Sequence, residues 1–400
     1  MRSGDPELSG SDALPGGDLI ELHAGLHELR SGRRHTQTDA TTGKQPQRAA
    51  PTAAMRADAA PEGSDADLVV SAAARARAFM RSAELTNVGP AELEQLADDV
   101  RRLATAYQQH PLDGLLGDMA STQQRAFELL DGRQRPAQTL DLSMLACIAS
   151  ALMARASHDL GEPREAMTQA RAAYVCADNA GHSGLRAWAR GLQALIAYWA
   201  GDLEESVRYG QHGVRAVGVR PASSAVWAAS GLARSLAALG RAEESRSAID
   251  EATRLRDLVE PDELDGFGGL CSFSRPRQLY YAADALSWGG RHEAADTERF
   301  ARDAIDSYEQ GPAALRAFGD EAGARCALAI AHIESGSVDG AVDVMDEVTC
   351  LPPAQRTHGV RAAVSHVQRA LARSPIRAGI AADLADAMQT FQAKRLTLPR

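Results

Sequence analysis

The stretch AYWAGDLEESVRYG, Ala197–Gly210, decides the fold. It reads as the end of one helix, a tight turn at Gly201, and the start of a second helix. Glycine commonly ends a helix because it adopts a left-handed conformation without strain. Glu204 and Glu205 would then lie in the first turn of the second helix, where the helix dipole favours negative charge. The stretch therefore predicts a helical hairpin.

The hairpin pattern occurs five times, at the glycines of GEPREA, GDLEES, GRAEES, GRHEAA and GSVDGA. The turn glycines are Gly161, Gly201, Gly240, Gly290 and Gly336. Seven positions earlier stand Ala154, Ala194, Ala233, Ala283 and Ala329, and five positions later stand Ala166, Ser206, Ser245, Ala295 and Ala341. Small residues allow the two helices of a hairpin to cross closely. Since one hairpin cannot bury its apolar face alone, five copies predict a stacked solenoid.

Composition favours helices throughout. Of 400 residues 44% are hydrophobic but only 4% are aromatic, so the apolar content is mostly Ala and Leu. The net charge of −10 opposes binding to a polyphosphate, and we expect no direct nucleic-acid binding. With no apolar leader and no long uncharged apolar run, the chain is expected to be cytoplasmic and not to contact a membrane.

The chain divides by pattern into two parts. Residues 1–65 lack apolar periodicity and are predicted to be disordered or weakly helical. Residues 66–400 form the predicted helical repeat domain, with clear repeats at about 142–350 and capping helices at 355–394. The last helix carries an apolar stripe, which predicts either a cap on the final repeat or a surface for homo-oligomer formation. Its residues are Ile380, Leu384, Ala387, Met388 and Phe391.

The repeats resemble tetratricopeptide repeats, in which small residues stand at the eighth and twentieth positions and glycine at the fifteenth. Ala194, Gly201 and Ser206 keep this register, whereas the aromatic expected at the fourth position is replaced, for instance by Arg190 and Arg325. The resemblance implies an all-α fold, a right-handed α-solenoid of divergent tetratricopeptide-like hairpins.

A wider resemblance covers about Asn87 to Leu384, through stretches such as NVGPAELEQLADDVRRLATAY and FSRPRQLYYAADALSW. These look like the sensor region of actinobacterial regulators that carry an Xre-type DNA-binding head before tetratricopeptide-like repeats. The resemblance implies a ligand- or protein-binding sensor in transcriptional or developmental regulation. Residues 1–65 show no such head. The alternative is a transcriptional regulator whose head is truncated or supplied by a partner.

A local helix-turn-helix candidate spans Glu84–Leu103, but it favours a structural role. Its second helix would present the carboxylates of Asp98 and Asp99 to DNA, and these carboxylates would repel the phosphates. Pro90 at the first helical position, followed by acidic residues, is typical of an ordinary helix start.

No catalytic motif is present: there is no phosphate-binding GxxxxGK[ST], no HExxH and no GxSxG in a strand-turn-helix context. The pair His23 and His27 lacks a third ligand nearby, and the histidines, including the pair His358 and His366, are interpreted as surface or incidental residues. The five cysteines are scattered without CxxC spacing and are interpreted as buried thiols. We expect no enzyme activity, no metal site and no cofactor.

The candidate ligand-binding residues lie on the first helices of the hairpins, which line the concave surface of a tetratricopeptide solenoid. They are Arg155, Trp188, Tyr198, Trp227, Arg234, Arg277, Tyr280 and Asp284. Aromatic rings and arginine forks suit a peptide, a small signal molecule or a partner protein. Two alternatives to ligand binding remain for these residues. The tryptophans pack as core between repeats, or the arginines form a solvated face or buried pairs with Asp159, Asp284 or Asp320.

Overall fold

The computed structural model describes residues 65–313, 316–375 and 379–393. The chain divides into two units, Met1–Ala66 and Asp67–Arg400, and the helical hairpins belong to the second. The predicted N-terminal segment, 1–65, lies outside the described residues apart from Asp65, and so does Lys394 at the end of the predicted capping region.

The described residues form helices and no strand. The α-helices are α1 (Asp65–Ala83), α2 (Pro90–Ala106), α3 (Leu116–Leu130), α4 (Pro136–Asp159), α5 (Pro163–Asn179), α6 (Ser183–Ala200), α7 (Leu203–Arg215), α8 (Ser223–Ala238), α9 (Ala242–Asp257), α10 (Arg275–Leu286), α11 (Ala294–Gln310), α12 (Phe318–Glu334), α13 (Val338–Thr349), α14 (His358–Arg373) and α15 (Gly379–Ala393). The predicted fold class, an all-α solenoid of tetratricopeptide-like hairpins, is confirmed.

Five hairpins form the body of the solenoid: α4 with α5, α6 with α7, α8 with α9, α10 with α11, and α12 with α13. The first helix of each hairpin packs against the first helix of the next, and α12 continues this packing onto α14. We call α4, α6, α8, α10, α12 and α14 the inner row. The row returns on itself, because α14 also contacts α4.

The turn glycines behave as predicted. All five have positive φ, between 60° at Gly290 and 86° at Gly336. The alanines seven residues earlier are buried in every copy. In two hairpins the small residue is a serine whose hydroxyl donates to the facing helix: Ser206 Oγ to the Ala194 carbonyl at 2.8 Å, and Ser245 Oγ to the Ala233 carbonyl at 2.9 Å. These bonds join the two helices at their crossing.

The fourth hairpin departs from the predicted register. Its turn is a longer 3-10 segment, Ser287–Glu293, and α11 starts only at Ala294. In the other hairpins the small residue at the crossing is the fourth residue of the second helix. In α11 the fourth residue is Thr297, which is buried. Ala295 is exposed. The prediction that Ala295 lies at the crossing is wrong, because the longer turn shifts the second helix along the sequence.

Two other elements follow their structural interpretations. α2 begins with Pro90 and packs through Leu96, Val100 and Leu103, so the helix-turn-helix candidate is a helix of the packed body. In α15, Leu384, Met388 and Phe391 are buried against the last elements of the same chain, while Ile380 and Ala387 are exposed. Most of the predicted stripe therefore covers the end of the solenoid.

Helix α4 is the one described helix long and apolar enough to cross a membrane. Its apolar residues, including Leu142, Ile148 and Leu152, are fully buried, and the helix packs between α3 and α5. Core helices of soluble proteins have this length and composition as well. Packing within the solenoid accounts for its hydropathy.

Candidate ligand-binding site

An arginine pairs with an aspartate in the middle of the inner row. Arg234 of α8 lies with its Nε 2.6 Å from Oδ2 of Asp284 on α10, and both side chains are buried. Tyr198 of α6 donates its hydroxyl to the same Oδ2 at 3.1 Å. Burial and the Asp284 carboxylate raise the pKa of Tyr198 well above its usual value, so the phenol stays protonated and acts as a donor.

Aromatic rings surround the guanidinium of Arg234. Its central carbon lies 4.7 Å from the Tyr198 ring centroid and 4.3 Å from that of Tyr281. The ring of Tyr280, 5.5 Å from the same carbon, occupies space that a side chain at Gly323 of α12 would need. Cation–π contact and the ion pair offset part of the cost of removing the charge from water, while Arg234 Nη2 is buried without a hydrogen-bond partner.

The same combination of arginine, aspartate and tyrosine occurs twice more. Arg277 Nε lies 3.1 Å from Asp320 Oδ2, which accepts the Tyr308 hydroxyl at 3.4 Å. Arg155 Nε lies 3.1 Å from Asp159 Oδ2, which accepts the Tyr107 hydroxyl at 2.8 Å. The three arginines thus form the pairs with Asp159, Asp284 and Asp320 that the sequence left as an alternative to a solvated face.

The two predicted tryptophans lie inside the protein, 6.2 Å apart between ring centroids. Trp188 donates its indole N–H to the carbonyl of Leu270 at 3.2 Å, and Trp227 donates to the Tyr281 hydroxyl at 3.2 Å. Leu270 belongs to the connection between α9 and α10, which covers this part of the inner row. The connection is a packed segment, because its apolar residues are buried: Leu264, Phe267, Leu270 and Phe273.

The predicted site residues therefore fall into three groups. The first group contains Tyr198, Arg234, Tyr280 and Asp284. A second, neighbouring group contains the two tryptophans, Trp188 and Trp227, with Arg277 beside Trp227. The third consists of Arg155, which pairs with Asp159. All are buried except Arg155, which is partly exposed. Tyr198 is the one of the eight that lines the cavity beside α14, and ligand binding by all eight stays a prediction.

The cavity has a volume of about 630 Å³. Its walls come from the turn between α4 and α5, the C-terminal end of α6, the 3-10 turn at Trp288, helix α14, and Gln392 of α15. The residues that face it include Asp159, Glu162, Tyr198, Trp199, Trp288, Ala362, His366 and Arg369. It is thus bordered by the first two hairpins, the turn of the fourth hairpin and the last helices of the described chain.

Three contacts hold α14 across this cavity. The His358 ring meets the His158 ring edge to face, with centroids 5.3 Å apart, and its Nε2 lies 3.4 Å from the Trp199 carbonyl. His366 lies over Trp288 with ring centroids 4.1 Å apart, and Trp288 donates to the Tyr198 hydroxyl at 2.9 Å. Because these contacts join the first hairpin, the middle of the row and α14, the cavity depends on their closure.

The two ends of the cavity differ in their polar groups. At the first hairpin, Asp159 Oδ1 and His158 Nε2 are both buried without a hydrogen-bond partner, and they lie 3.9 Å apart. Burial lowers the pKa of His158 well below its usual value, so this imidazole is neutral. At the other end, the Arg369 guanidinium lies 5.7 Å from the Trp288 ring centroid. The first end thus holds two buried polar atoms without partners, and the other end presents an exposed cation.

A second cavity of about 490 Å³ lies near the N-terminal end of α12. Its charged lining residues are matched, since Arg316 pairs with Glu321 and Arg325 pairs with Glu347 at 2.6 Å. It is less suited to a charged ligand than the cavity beside α14. Within the described residues no group of three or more His, Cys, Asp or Glu side chains is arranged to hold a metal ion.

No protein-family model matches the chain, and no curated protein matches it. Solved structures with tetratricopeptide-like repeats do. A putative kinesin light chain repeat protein from Podosopora anserina is 15% identical, with 59% of this chain and 100% of that chain covered and a TM-score of 0.34. A Rap protein complexed with competence and sporulation factor is 12% identical, with 76% and 88% covered and a TM-score of 0.43. A functional assignment therefore depends on the cavity itself.

Proposed function

We propose that the protein is a cytoplasmic, tetratricopeptide-like sensor that binds a peptide or small molecule in the cavity between the α4–α5 turn and α14. One observation carries this proposal. The inner row pairs Arg155, Arg234 and Arg277 with aspartates, yet the cavity is lined by an exposed arginine, Arg369, that has no ion pair among the described residues. Its volume lies in the range typical of small-molecule sites.

The position of the cavity suits a sensor because its walls are far apart along the chain. A ligand that touches both the α4–α5 turn and α14 binds the closed arrangement better than one in which α14 has moved away. Binding therefore shifts the population toward closure by as much as the two affinities differ. Such a shift is how a solenoid without catalytic groups transmits the presence of a ligand.

A role in transcriptional or developmental regulation is part of the proposal. Its support is the resemblance of Asn87–Leu384 to the sensor regions of helix-turn-helix regulators. The acidic character of the chain, with a net charge of −10, favours action through a partner protein over direct contact with DNA.

The test fills the cavity without changing its charges. Ala362 lines the cavity on α14, and Gln368 on the same helix does not, although both are partly exposed. The full chain, Ala362→Trp and Gln368→Trp are incubated with the low-mass fraction of an extract of the producing cells and examined by native mass spectrometry. We expect a bound species on the wild type and on Gln368→Trp, and none on Ala362→Trp. Circular dichroism checks that both variants fold.

Two results would overturn the proposal. One is a folded Ala362→Trp protein that binds the same species as well as the wild type does. The other is a wild-type chain that retains nothing from the extract.

A further inference from the structure

We infer that the ligand of the cavity beside α14 is a small organic anion with a flat aromatic ring, and that its acidic group binds Arg369. The inference rests on the proposed function and deepens it, because it names the ligand's chemistry and the arginine that selects it. It follows from the balance of charge on the cavity lining, the partners of each arginine there and the rings of the wall.

The lining of the cavity carries more positive than negative charge. Among the described residues, its arginines are Arg356, Arg361 and Arg369, and its carboxylates are Asp159 and Glu162. Asp159 is already balanced by Arg155, which lies 3.1 Å from it. Glu162 is exposed on the α4–α5 turn, where water and salt weaken its field. A chain with a net charge of −10 therefore has a local positive potential at this cavity, which favours an anion.

Arg356 shows this surplus of positive charge most clearly. It is only 8% exposed, and its guanidinium donates to the carbonyls of Leu351 at 2.8 Å and Phe391 at 3.3 Å. No carboxylate in the described part of the chain forms an ion pair with it. Carbonyl groups satisfy its N–H donors but do not balance its charge, and a buried cation without a counter-ion is unfavourable. An anion in the cavity that Arg356 lines reduces this cost.

Arg369 is the arginine of the lining that a ligand can engage directly. Arg356 and Arg361 each donate to a carbonyl of α15 and so hold that helix in place. Arg369 is exposed and has neither a hydrogen-bond partner nor an ion pair among the described residues, whereas Arg373, one turn further along α14, lies 3.7 Å from Glu334. A free guanidinium presents a planar fork of N–H groups that binds a carboxylate or phosphate through two parallel hydrogen bonds.

Aromatic side chains form much of the remaining wall. Tyr198, Trp199 and Trp288 line the cavity, and both tryptophans are partly exposed. The Arg369 guanidinium lies 5.7 Å from the Trp288 ring centroid, so an acidic group on Arg369 brings the ring that carries it close to this indole. Burial lowers the pKa of His366, which stacks on Trp288, to about 4, so this imidazole adds no charge near pH 7. A flat ring packs well against such a wall.

The experiment uses three probes that share one ring system: 2-naphthoate, 2-naphthyl phosphate and the neutral 2-naphthamide. Each is titrated with the full chain at pH 7, and its Kd is measured from the NMR signals of the probe's ring protons. We expect at least one of the two anions to bind about tenfold or more tightly than 2-naphthamide, because only the anions form a charge-assisted contact. The tighter anion tells whether the acidic group is a carboxylate or a phosphate.

Three variants locate the contact. Arg369→Met should weaken binding of the tighter anion by about tenfold and leave the affinity for 2-naphthamide unchanged. Arg373→Met, the matched control on the same helix, should change neither affinity, since Arg373 does not line the cavity. Ala362→Trp should abolish binding of the anion, which distinguishes this cavity from other apolar surfaces. Circular dichroism checks that each variant folds.

Four results would each overturn the inference. They are equal affinity for the anions and 2-naphthamide, no binding of either anion up to its solubility limit, unchanged anion binding by a folded Arg369→Met protein, and unchanged anion binding by a folded Ala362→Trp protein.

The inference and the proposed function can fail separately. If the anions bind no better than 2-naphthamide while the cell extract yields a species that Ala362→Trp loses, the inference is wrong and the sensor proposal stands. If neither a probe nor a species from the extract depends on Ala362, both are wrong.

Discussion

The middle of the inner row and the cavity beside α14 contain the same kinds of side chain arranged to different effect. In the middle, Arg234 lies between tyrosine rings and is paired with Asp284, and the side chains of neighbouring helices fill the space. At α14, Arg369 lies on Trp288 with no ion pair among the described residues, and about 630 Å³ remains open beside it. An arginine next to an aromatic ring thus stabilises the fold in one place and is available to a ligand in the other. The packing of the surrounding helices makes the difference.

The largest effect is expected in the middle of the row. Arg234→Met should lower the free energy of unfolding by about 3–5 kcal/mol, because it leaves the Asp284 carboxylate buried without its partner. Urea unfolding followed by circular dichroism measures it. The double variant Arg234→Met with Asp284→Leu should be more stable than the single variant, since no buried charge remains. A loss below about 1 kcal/mol for the single variant would show that this region is not a closed structural network.

The second effect is a loss of stability in acid, which tests how His366 holds α14 across the cavity. The pKa of His366 is lowered to about 4, chiefly by burial and also by the nearby Arg369 and Arg373. Asp284 acts in the opposite direction. Because the unfolded value is about 6.5, the unfolded chain binds more protons between these values. Stability should be full above about pH 6.5 and fall by up to about 3 kcal/mol as the pH drops to about 4.

The control for this acid sensitivity is His366→Phe, which keeps a ring against Trp288 without a titratable nitrogen. Unfolding free energies between pH 7 and pH 4 should decline less in this variant than in the wild type. An identical decline in both would mean that His366 does not couple closure to protonation.

The third prediction compares a regular hairpin with the fourth one. Ala341 is fully buried at the crossing of α12 and α13, whereas Ala295 is exposed on α11. Ala341→Leu should destabilise the protein by about 1–3 kcal/mol through overpacking. Ala295→Leu should change stability by no more than about 0.5 kcal/mol. Thermal unfolding of the two variants decides whether the longer turn has shifted the register, and equal losses would argue against the shift.

The smallest effect on stability is expected at the cavity rim. Arg369→Met should alter the free energy of unfolding by no more than about 0.5 kcal/mol, as an exposed side chain without an ion pair among the described residues should. Chemical denaturation of Arg369→Met beside Arg373→Met measures this. A loss of several kcal/mol at Arg369 would place it with the structural arginines of the middle of the row.

Much of the fold was predictable from local patterns. The glycine of each turn and the alanine seven residues earlier act within one hairpin, so their spacing predicts the hairpin wherever the turn has constant length. The fourth copy shows the limit, because the longer turn at Ser287–Glu293 moves the crossing from Ala295 to Thr297. When a turn keeps its glycine but differs in length, counting residues from that glycine does not locate the crossing.

The candidate site was predictable in chemistry and not in position. Arginine, tryptophan and tyrosine were correctly placed on the first helices, and their pairing with Asp159, Asp284 and Asp320 was one of two alternatives. The sequence could not choose between a solvated face and buried pairs. Whether an arginine meets an aspartate depends on how the helices pack. Arg369 and Trp288 were missed because they lie outside the repeated columns. The signal that could have found Trp288 is that it directly follows an inner helix and so enters the turn of the fourth hairpin.

The sequence by itself determined that this chain forms a series of helical hairpins, since glycine turns and small crossing residues act between neighbours a few residues apart. Only the tertiary structure decided where a ligand could enter. The cavity exists because the inner row returns on itself, so that α14 contacts α4 and His358 reaches the Trp199 carbonyl of α6. Such a return depends on every contact in the row, so no single motif encodes it.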